Sequence, residues 1–552
     1  MINTKIKVAA LHIGLFLLVC ASASIINGKQ IIDEIIVFQK YYSAWDKILL
    51  YSLIYLLCCI AIFLIFYLKN IWVSNILIIF LSLAFFTEYI FKSVNGGQIG
   101  YDDFLMILNS SEHVLDVLSL FQKYVLVYIL LFISLVILRL SIKKFAFLSL
   151  KKYFVLFAVS LLSAYFVVKV SNGHRVSFPS LQKMIVLSFY TFNHKLYAGK
   201  RIALNEKNNP IGSVDHILLI VDESIRGDLL EINGGKHPNT PFLKSIINEK
   251  ILNFGVSYSG AVCSDYSNII LISGIQLKDL PDLDSKSRKL PQIFQYAKKA
   301  GYHTSYIDCQ SYDNSPDGYL TDDDLSYIDA NIQVKPHFPN SYSYENDRNA
   351  LKFLQNNLKN HKSFTYLVKY GCHFPFNNTY PNIQQVFKPV KDMTSWNRDS
   401  KQGILNSYNN AILWAVDGFW QKLDSIVADY PDLVVIYTSD HGQNIFDDEQ
   451  ITATHCYKGP APAVMAKVPL FIYSPDIAKI QHFKSQAIMQ NHPYSHFQIF
   501  PTAIDLMGYK GTSNVNPGSN LLNGNLSLTD YYTSGDIYGR SKMFKNKIKV
   551  EK

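Results

Sequence analysis

Charged side chains are scarce in this chain. Asp, Glu, Lys and Arg together make up 17% of the 552 residues, whereas 49% of the residues are hydrophobic. Soluble globular proteins carry about a quarter charged residues, so the composition argues against a protein that is water-soluble throughout. The apolar excess must be concentrated in particular segments, and membrane spans are the natural place for it.

Other absences exclude further classes of protein. The chain has no basic helix and no aromatic platform motif, so its net charge of +9 does not indicate a nucleic-acid partner. Basic residues flank the apolar runs instead, as in membrane proteins with positively charged cytoplasmic loops. No two cysteines have CxxC spacing, which argues against a cysteine zinc site. There is no long repeat and no low-complexity tract.

Five apolar runs precede the remainder of the chain, and each is about long enough to cross a bilayer. They are residues 8–26, 48–68, 71–91, 124–142 and 153–170. The first run could instead be a cleaved signal peptide, or a lipoprotein signal at Cys20, where Val19 replaces the expected small residue. We favour an uncleaved span, because the other four runs already predict a multi-pass membrane protein.

Loop charges predict the orientation of these spans. Lys5 and Lys7 precede the first run, and a basic cluster lies around residues 139–152, between the fourth and fifth runs. Both segments should be cytoplasmic. Five spans then place the rest of the chain outside, in the periplasm of a bacterium. The predicted divisions are a transmembrane domain at 1–172, an interfacial connector at 173–212 and a periplasmic catalytic domain at 213–552.

The outer loop at residues 93–123 has apolar residues at helical spacing, which predicts a helix on the membrane surface. Asn109, Ser110 and Glu112 interrupt it. They are either a solvent-exposed break in the helix or polar groups that bind a lipid headgroup.

Strands and helices alternate from residue 215 onward, which predicts an α/β/α sandwich with a mostly parallel sheet covered by helices on both faces. The predicted strands are 217–221, 251–257, 303–308, 364–370, 433–439 and 469–473. Helices are predicted between them, for example at 290–300, 347–358 and 404–427.

Residues suited to metal or nucleophile chemistry follow several of these strands. Glu223 comes just after the first strand, and Asp440 and His441 come just after the strand LVVIYTS. Carboxylate oxygens and imidazole nitrogens are zinc ligands, and a catalytic zinc site leaves room for a substrate. An alcohol such as that of Ser264 could complete the site, because a metal lowers its pKa and makes it a nucleophile.

The motifs, in this order, resemble those of membrane phosphoethanolamine transferases of the lipid A-modifying type, within the alkaline phosphatase superfamily. VDESIRGD resembles the family's V-G-E-[ST]-x-R-x-D, and SDYSNIILISG resembles its nucleophile segment. YTSDHGQ is similar to S-D-H-G-E, KYGCHFPF to G-x-H-G-P, and THCYKGPAPAVMAKVPLFIY to the segment with the last site histidine. The resemblance covers nearly the whole chain.

The resemblance implies roles for these residues. Glu223, Asp440 and His441 would hold one zinc ion, or two during turnover, with Ser264 as fourth ligand and nucleophile. His373 and His455 would contact the transferred phosphoryl group or protonate the leaving oxygen. These implied roles belong to a reaction through a covalent phospho-serine.

Partners follow from the same resemblance. Asn109 would face the headgroup of a phosphatidylethanolamine donor in the bilayer. The acceptor would be lipid A, a lipopolysaccharide core sugar or another surface glycan or lipid. The protein is expected to be a monomer in the inner membrane.

Several departures from the family pattern leave alternatives open. Ser264 stands where the family usually has Thr, and Ser267 is the alternative nucleophile. Asp222 replaces a usual Gly and is an alternative metal ligand, which would resemble the paired aspartates that hold calcium in sulfatases. The segment IDCQSYDNSPDG lacks the Lys that is common there.

The remaining histidines and cysteines give weaker indications of a role in the site. His496 is expected to be structural or to support the site from behind. Cys263, Cys309, Cys372 and Cys456 are an even number and suit an oxidising compartment. Cys372 and Cys456 each neighbour a candidate histidine, and they either form a disulfide with each other or stay free.

Three rival functions remain. The first is a phosphoglycerol transferase or a sulfatase, although the C-x-P-x-R pattern of sulfatases is absent. The second is an inactive membrane protein that only binds a lipid or a partner. The third, a transporter, is disfavoured because charged residues in the apolar runs are confined to Glu88, Arg139 and Lys169, near their ends.

Overall fold

The computed structural model describes the larger part of the chain. The described residues are 12–17, 19–20, 31–32, 45–101, 103–104, 122–171, 173, 176–193, 200–204, 212–311, 320–391, 396–487, 494–509, 520–522, 530–539 and 542–548. The chain divides into two compact units, Met1–Lys195 and Leu196–Lys552. The predicted boundaries near residues 172 and 212 stay predictions.

The first unit is helical. Its helices are α1 (Trp45–Ile65), α2 (Ile71–Asn95), α3 (Gln122–Ser141), α4 (Leu150–Val170) and α5 (Ser180–Asn193). Among the described residues, α1, α2 and α4 are long and apolar enough to cross a membrane. They correspond to the second, third and fifth predicted spans, so a total of five spans stays a prediction.

The other predicted membrane elements are described only in part. The fourth predicted span corresponds to α3, whose segment Tyr128–Ser141 is a shorter apolar helix. Most of the first run, at 8–26, lies outside the described residues. The same holds for residues 105–121, which include Asn109, Ser110 and Glu112.

A buried ion pair ties α5 to α2 within the first unit. Lys183 of α5 contacts the carboxylate of Glu88, and both side chains are fully buried. Ser180 donates a second hydrogen bond to Glu88 over 2.5 Å, and Gln98 accepts one from Lys183 over 2.9 Å. The pairing offsets the cost of placing charges among apolar helices.

The second unit is built on a seven-stranded sheet. Its strands are β1 (His216–Asp222), β2 (Ile251–Tyr258), β3 (His303–Asp308), β4 (Ala330–Gln333), β5 (Ser363–Val368), β6 (Leu433–Ser439) and β7 (Lys467–Tyr473). Their order is β2-β7-β6-β1-β5-β3-β4. Only β7 runs against its neighbours, β2 and β6, so the sheet is mixed and mostly parallel.

Helices surround this sheet. The longer ones are α6 (Pro241–Lys250), α7 (Ser264–Ser273), α8 (Ile293–Lys299), α9 (Asn346–Asn357), α10 (Lys401–Ile412), α11 (Gly418–Val427), α12 (Ile477–Gln486) and α13 (Ile499–Leu506). Helices of four residues occur at Lys286–Lys289, Asp322–Leu325 and Val334–His337. A separate two-stranded sheet pairs β8 (Tyr531–Gly535) with β9 (Met543–Lys547).

The central strand β1 contributes to two separate hydrophobic cores. Ile217, Leu219 and Val221 pack with residues of α7, α8 and α13. Leu218 and Ile220 point to the other face and pack with residues of α9, α10 and α11. Because successive side chains of a strand point to opposite faces, a strand that is apolar throughout needs a cover on each side. The predicted sandwich of helices around a sheet is confirmed for this unit.

Candidate active site

Two adjacent strand ends bring the first two candidate ligands together. Strands β1 and β6 are parallel neighbours, and Asp222 lies opposite Ser439 in their register. Glu223 and Asp440 are each the next residue, so they leave the sheet side by side. The backbone N–H of Asp440 donates a hydrogen bond to the carbonyl of Asp222 over 2.9 Å, which fixes this arrangement.

Glu223, Asp440 and His441 form a buried cluster whose ligand atoms all lie within 4.8 Å of one another. His441 Nε2 is 3.6 Å from Glu223 Oε1 and 3.4 Å from Asp440 Oδ2. His441 Nδ1 donates a hydrogen bond to the carbonyl of Gly442 over 2.8 Å. In a neutral ring the lone pair is therefore on Nε2, facing the two carboxylates.

A steric constraint explains why the third residue of Asp-His-Gly, Gly442, is a glycine. A Cβ at Gly442 would lie 2.3 Å from the carbonyl oxygen of Val464, and the N–H of Gly442 bonds to Met465 over 2.8 Å. The turn that presents Asp440 and His441 therefore runs too close to the backbone before β7 for a side chain at this position.

The donor set fits a metal ion. Asp440 Oδ1 accepts hydrogen bonds from the N–H groups of Ser224 and His441, whereas Asp440 Oδ2 is buried and has no hydrogen-bond partner among the described residues. Burial, and then the charge of Glu223, raise the pKa of Asp440 to about 7, and burial also raises the pKa of Glu223. Two repelling carboxylates and an imidazole lone pair around one point are the ligands that zinc takes in catalytic sites.

Ser264 is the serine that reaches this cluster. It is the first residue of α7 and is half-exposed, and its hydroxyl lies 3.1 Å from His441 Nε2. Ser267 is fully buried, and its hydroxyl donates to the carbonyl of Ala261 over 2.8 Å. The geometry thus places Ser264, and not Ser267, beside the candidate ligands.

The two other predicted histidines gather at the same place. The ring of His455 stacks on that of His441, with centroids 4.2 Å apart and planes 14° apart. Burial, and then the nearby His441 and His373, hold the pKa of His455 well below its usual value. His373 is half-exposed, and its Nδ1 donates to the carbonyl of Phe374 over 2.7 Å.

Asp222 does not join the cluster of ligand atoms. Its Oδ2 accepts hydrogen bonds from the ammonium of Lys369 and from the hydroxyl of Tyr437, the latter over 2.8 Å. Its Oδ1 accepts from the N–H of Glu223 over 3.0 Å. Burial raises the pKa of Asp222 to about 6 despite the opposing Lys369. In this arrangement Asp222 is the counter-ion of a lysine and orients the backbone of Glu223.

Lys369 is a buried cation directly behind the site. Burial alone would lower its pKa, but the carboxylates of Asp222 and Asp347 outweigh burial and raise it. The ammonium also donates to the carbonyl of Ala415 over 2.7 Å. Ala415 lies in a π-helical turn, Leu413–Asp417, where the predicted long helix 404–427 divides into α10 and α11. A π-helical turn loosens the regular hydrogen-bond pattern, and this one supplies a carbonyl to the buried cation.

Sequence reasoning missed Gln310 and Lys369. Gln310 Nε2 donates to Glu223 Oε2 over 3.2 Å and to the carbonyl of Lys369 over 2.7 Å. Both residues come one or two positions after the ends of β3 and β5. Polar residues that follow parallel strands meet at one sheet edge, and this signal could have identified them.

Of the two alternatives for Cys372 and Cys456, a disulfide between them is wrong, and the thiol of Cys372 is free. Cys456 forms a disulfide with Cys263, whereas Cys372 is a buried free thiol, as is Cys309. Cys372 follows β5 and is fully buried beneath the site, whereas Cys456 lies in the loop against the turn before α7.

His496 lies behind the sheet edge. It is buried, and its Nε2 donates to the carbonyl of Ser439 over 2.9 Å, next to Asp440. Burial lowers its pKa to about 3, so the ring is neutral. The position agrees with a residue that supports the site from behind.

Comparison with known proteins identifies the family. A family model described as Sulfatase matches residues 215–509, more than half of the chain. The chain belongs to the sulfatase family. This sulfatase-family chain has relatives among phosphoethanolamine transferases, as its motifs predicted.

Two curated relatives are similar to the sulfatase-family chain. It is 22% identical over 374 residues to the Kdo(2)-lipid A phosphoethanolamine 7''-transferase of Salmonella typhimurium, covering 62% of this chain and 63% of that protein. It is 25% identical over 311 residues to phosphoethanolamine transferase EptA of Helicobacter pylori, covering 54% of this chain and 56% of that protein. The chain thus spans less than two thirds of the length of either relative.

One solved structure extends the similarity in fold to most of the sulfatase-family chain. It is the integral membrane lipooligosaccharide phosphoethanolamine transferase A of Neisseria meningitidis. The TM-score is 0.59 at 19% identity, and the match covers 91% of this chain and 96% of that one. The shared feature is the fold, and the substrate must be argued from the site.

The candidate metal ligands of this sulfatase-family chain can be tested by zinc affinity. Asp440→Asn should weaken zinc binding by more than about 100-fold, because it removes a ligand and even outer partners of ligands contribute about 10–100-fold. Gln310→Ala, which removes the hydrogen bonds to Glu223 Oε2 and to the carbonyl of Lys369 but no candidate ligand, should weaken it by about 10-fold. Competition with a fluorescent chelator measures both constants. Equal affinity of Asp440→Asn and the unmodified protein would exclude Asp440 as a ligand.

Proposed function

We propose that the chain transfers phosphoethanolamine from phosphatidylethanolamine to a lipid or glycan of the cell envelope, with lipid A as the acceptor to test first. The observation that carries the proposal is the hydroxyl of the partly exposed Ser264, 3.1 Å from His441 Nε2 of the buried Glu223–Asp440–His441 cluster. The names of the similar Salmonella typhimurium and Helicobacter pylori transferases support the choice of transferred group.

Ser264 is the proposed nucleophile of the first step. Its oxygen attacks the phosphorus of the donor lipid and loses its proton. The bond from Ser264 to phosphorus forms while the bond from phosphorus to the glycerol oxygen breaks, and that oxygen takes up a proton and leaves as diacylglycerol. The product on the protein is a phosphoethanolamine ester of Ser264.

The second step reverses these roles. An acceptor hydroxyl or phosphate oxygen attacks the same phosphorus, the bond from Ser264 breaks, and the Ser264 oxygen regains a proton. In both steps His373 and His455 contact the phosphoryl oxygens and exchange protons with the leaving and attacking oxygens, a role supported by the stacking of His455 on His441. An imidazole is suited to this exchange because its ring nitrogens can each accept or donate a proton.

Several groups favour negative charge at the reacting phosphorus. Ser264 begins α7, so N–H groups of the first helical turn lie beside the nucleophile, where anions bind well. Held by Glu223, Asp440 and His441, with Ser264 as the fourth ligand, a zinc ion would lower the pKa of the Ser264 hydroxyl and neutralise phosphoryl charge.

The proposed location is a bacterial inner membrane, with residues 213–552 in the periplasm. Three described helices are apolar and long enough to span, and the basic cluster around 139–152 marks the cytoplasmic side. The disulfide between Cys263 and Cys456 suits an oxidising compartment.

The deciding experiment uses the full chain in vesicles that contain phosphatidylethanolamine with an isotope-labelled ethanolamine group, together with lipid A. Mass spectrometry should find labelled phosphoethanolamine on lipid A and on a peptide that contains Ser264. Envelope lipids and glycans from cells with and without the protein then identify the natural acceptor. If no labelled group reaches lipid A or any envelope glycan, the proposal is wrong.

The rival functions give different products. A phosphoglycerol transferase would label the acceptor only when phosphatidylglycerol is the donor, and a sulfatase would release sulfate from a sulfate ester. A protein that only binds lipid would bind the donor without any covalent label on Ser264. The C-x-P-x-R pattern of sulfatases is absent, since Tyr266 and Asn268 stand at the Pro and Arg positions. Phosphoethanolamine transfer is therefore the reaction to test first.

A further inference from the structure

A disulfide bond joins two loops of the candidate active site. Cys263 and Cys456 are 193 residues apart in the chain. Cys263 directly precedes Ser264, and Cys456 directly follows His455. The bond therefore links the predicted nucleophile to a predicted site histidine, with each of them one residue away from the crosslink.

The segment that carries His455 has little regular structure of its own. Residues 451–462 form neither a helix nor a strand. Before His455, the side chain of Asn444 holds the segment by donating to the carbonyls of Ile451 and Ala453 over 2.9 and 3.0 Å. After His455, the segment is tied to the turn that precedes Ser264.

The link between the segment after His455 and the turn before Ser264 consists of the disulfide and one backbone hydrogen bond. The N–H of Cys456 donates to the carbonyl of Val262 over 2.7 Å. Cys456 has a φ of 53°, a left-handed conformation that residues other than glycine rarely adopt. Such a conformation persists only where the surroundings impose it, and the crosslink to Cys263 is such a constraint.

The link lies next to His455, the residue that carries the imidazole, whose Nδ1 is also 2.8 Å from the hydroxyl of Thr454. Its ring stacks on His441, with centroids 4.2 Å apart, and the hydroxyl of Ser264 lies 3.1 Å from the Nε2 of the same His441. His455 and Ser264 are thus arranged around one residue, while the crosslink joins their neighbours on the other side. A displacement of about 1 Å in such a group can lower a rate about 100-fold.

We propose that the Cys263–Cys456 disulfide is a positioning element of the active site, which holds His455 in place beside Ser264 and makes turnover depend on the oxidised state of this bond. The proposal rests on the proposed transferase function. His455 is the group that acts on the phosphoryl oxygens, and the disulfide acts through it.

The disulfide is accessible to a reductant, whereas the two free thiols of this unit are buried. Cys263 and Cys456 are both half-exposed, so dithiothreitol can attack the bond. Two cysteine thiols form, and dithiothreitol becomes its cyclic disulfide. Cys309 and Cys372 are fully buried, and burial raises the pKa of both thiols well above the usual value, which makes them unreactive.

The first test measures transfer by the full chain before and after treatment with dithiothreitol. Reduction should lower kcat about 100-fold and change KM by less than about 3-fold, because acid–base groups act mainly on the chemical step. Reoxidation should restore kcat. Cys263→Ser, Cys456→Ser and the double variant should share the low kcat and no longer respond to dithiothreitol, whereas Cys309→Ser should respond like the unmodified protein.

The second test does not depend on activity. Diethylpyrocarbonate modifies accessible neutral imidazoles, and peptide mass spectrometry reports the rate for each histidine. Reduction should accelerate the modification of His455 about 10-fold, because its ring would no longer be held in the stack on His441, and should leave that of His373 unchanged. An unchanged rate at His455 would overturn the proposal, even if no acceptor were ever found.

Zinc content separates positioning from general loss of structure. Glu223, Asp440 and His441, three of the four proposed zinc ligands, follow the ends of β1 and β6 and are not adjacent to either disulfide cysteine, so reduced protein should keep its zinc. Loss of zinc together with activity would mean that the disulfide holds the fold and not His455, and would also overturn the proposal. An oxidised, zinc-loaded protein without any transfer would instead contradict the proposed function.

Discussion

The Ser264→Ala variant is expected to lose phosphoethanolamine transfer, with kcat lowered at least about 1,000-fold, as for enzymes that lose their nucleophile. The substitution removes the oxygen that would bond to phosphorus and leaves Glu223, Asp440 and His441 in place. Ser264 is half-exposed at the start of α7, so stability should change by less than about 1 kcal/mol. Transfer assays, zinc content and thermal unfolding of the full chain measure these three effects.

Two further variants make the result specific to Ser264. Ser264→Thr keeps a hydroxyl at the position where the resembled family usually has Thr, so it should retain transfer. Ser267→Ala removes a buried hydroxyl that bonds to the carbonyl of Ala261, and it should lower stability by about 1 kcal/mol with transfer largely kept. If Ser267→Ala abolishes transfer and Ser264→Ala does not, the nucleophile is Ser267.

The second large effect is expected in stability. Lys369→Met should lower the free energy of unfolding by about 3–5 kcal/mol, because it leaves the carboxylate of Asp222 buried without its counter-ion. Asp222→Asn should act in the same direction, since it leaves the ammonium of Lys369 with only the more distant carboxylate of Asp347, 3.7 Å away.

The double variant distinguishes an ion pair from two independent contacts. Asp222→Asn combined with Lys369→Met removes both charges, so the loss should be smaller than the sum of the two single losses. Asp347 remains satisfied in the double variant, because it accepts hydrogen bonds from the N–H groups of Tyr370 and Gly371. Chemical denaturation of the full chain in detergent measures all three variants. Strict additivity would show that the pair does not act as a unit.

The backbone at Gly371 runs so close to the carboxylate of Asp222 that only a glycine fits there. Gly371 has a φ of 54°, and a Cβ there would lie 2.4 Å from Asp222 Oδ1. The chain after β5 thus passes directly over the carboxylate of Asp222, which brings Lys369 beneath it. The pair with Lys369 accounts for Asp222, which stands in VDESIRGD where the family usually has Gly, better than an additional metal ligand does.

The elements of the second unit could be predicted where their composition is strongly apolar. Six predicted strands correspond to β1, β2, β3, β5, β6 and β7, because each is a short apolar run between turns. Strand β4, with the sequence ANIQ, was missed because only one of its four residues is a large apolar one. The hairpin of β8 and β9 was missed because MFKNK of β9 is mostly polar.

The sequence by itself determined the order and the kind of the chemical groups in the second unit. Carboxylates, a serine and histidines follow strands at one edge, because apolar runs specify buried strands and the polar residues after them must emerge at the strand ends. The sequence also indicated a membrane-spanning part, because apolar runs of this length are typical of transmembrane helices. These inferences depend only on neighbours along the chain.

Only the tertiary structure decided which of these groups meet. The register that sets Asp222 opposite Ser439 brings Glu223 and Asp440 together, the buried Lys369 takes Asp222, and Cys263 pairs with Cys456 rather than Cys372 with Cys456. Each of these contacts joins residues more than 100 positions apart. Strand register and loop closure depend on packing across the whole sheet, and sequence patterns, which act over a few residues, do not contain that information.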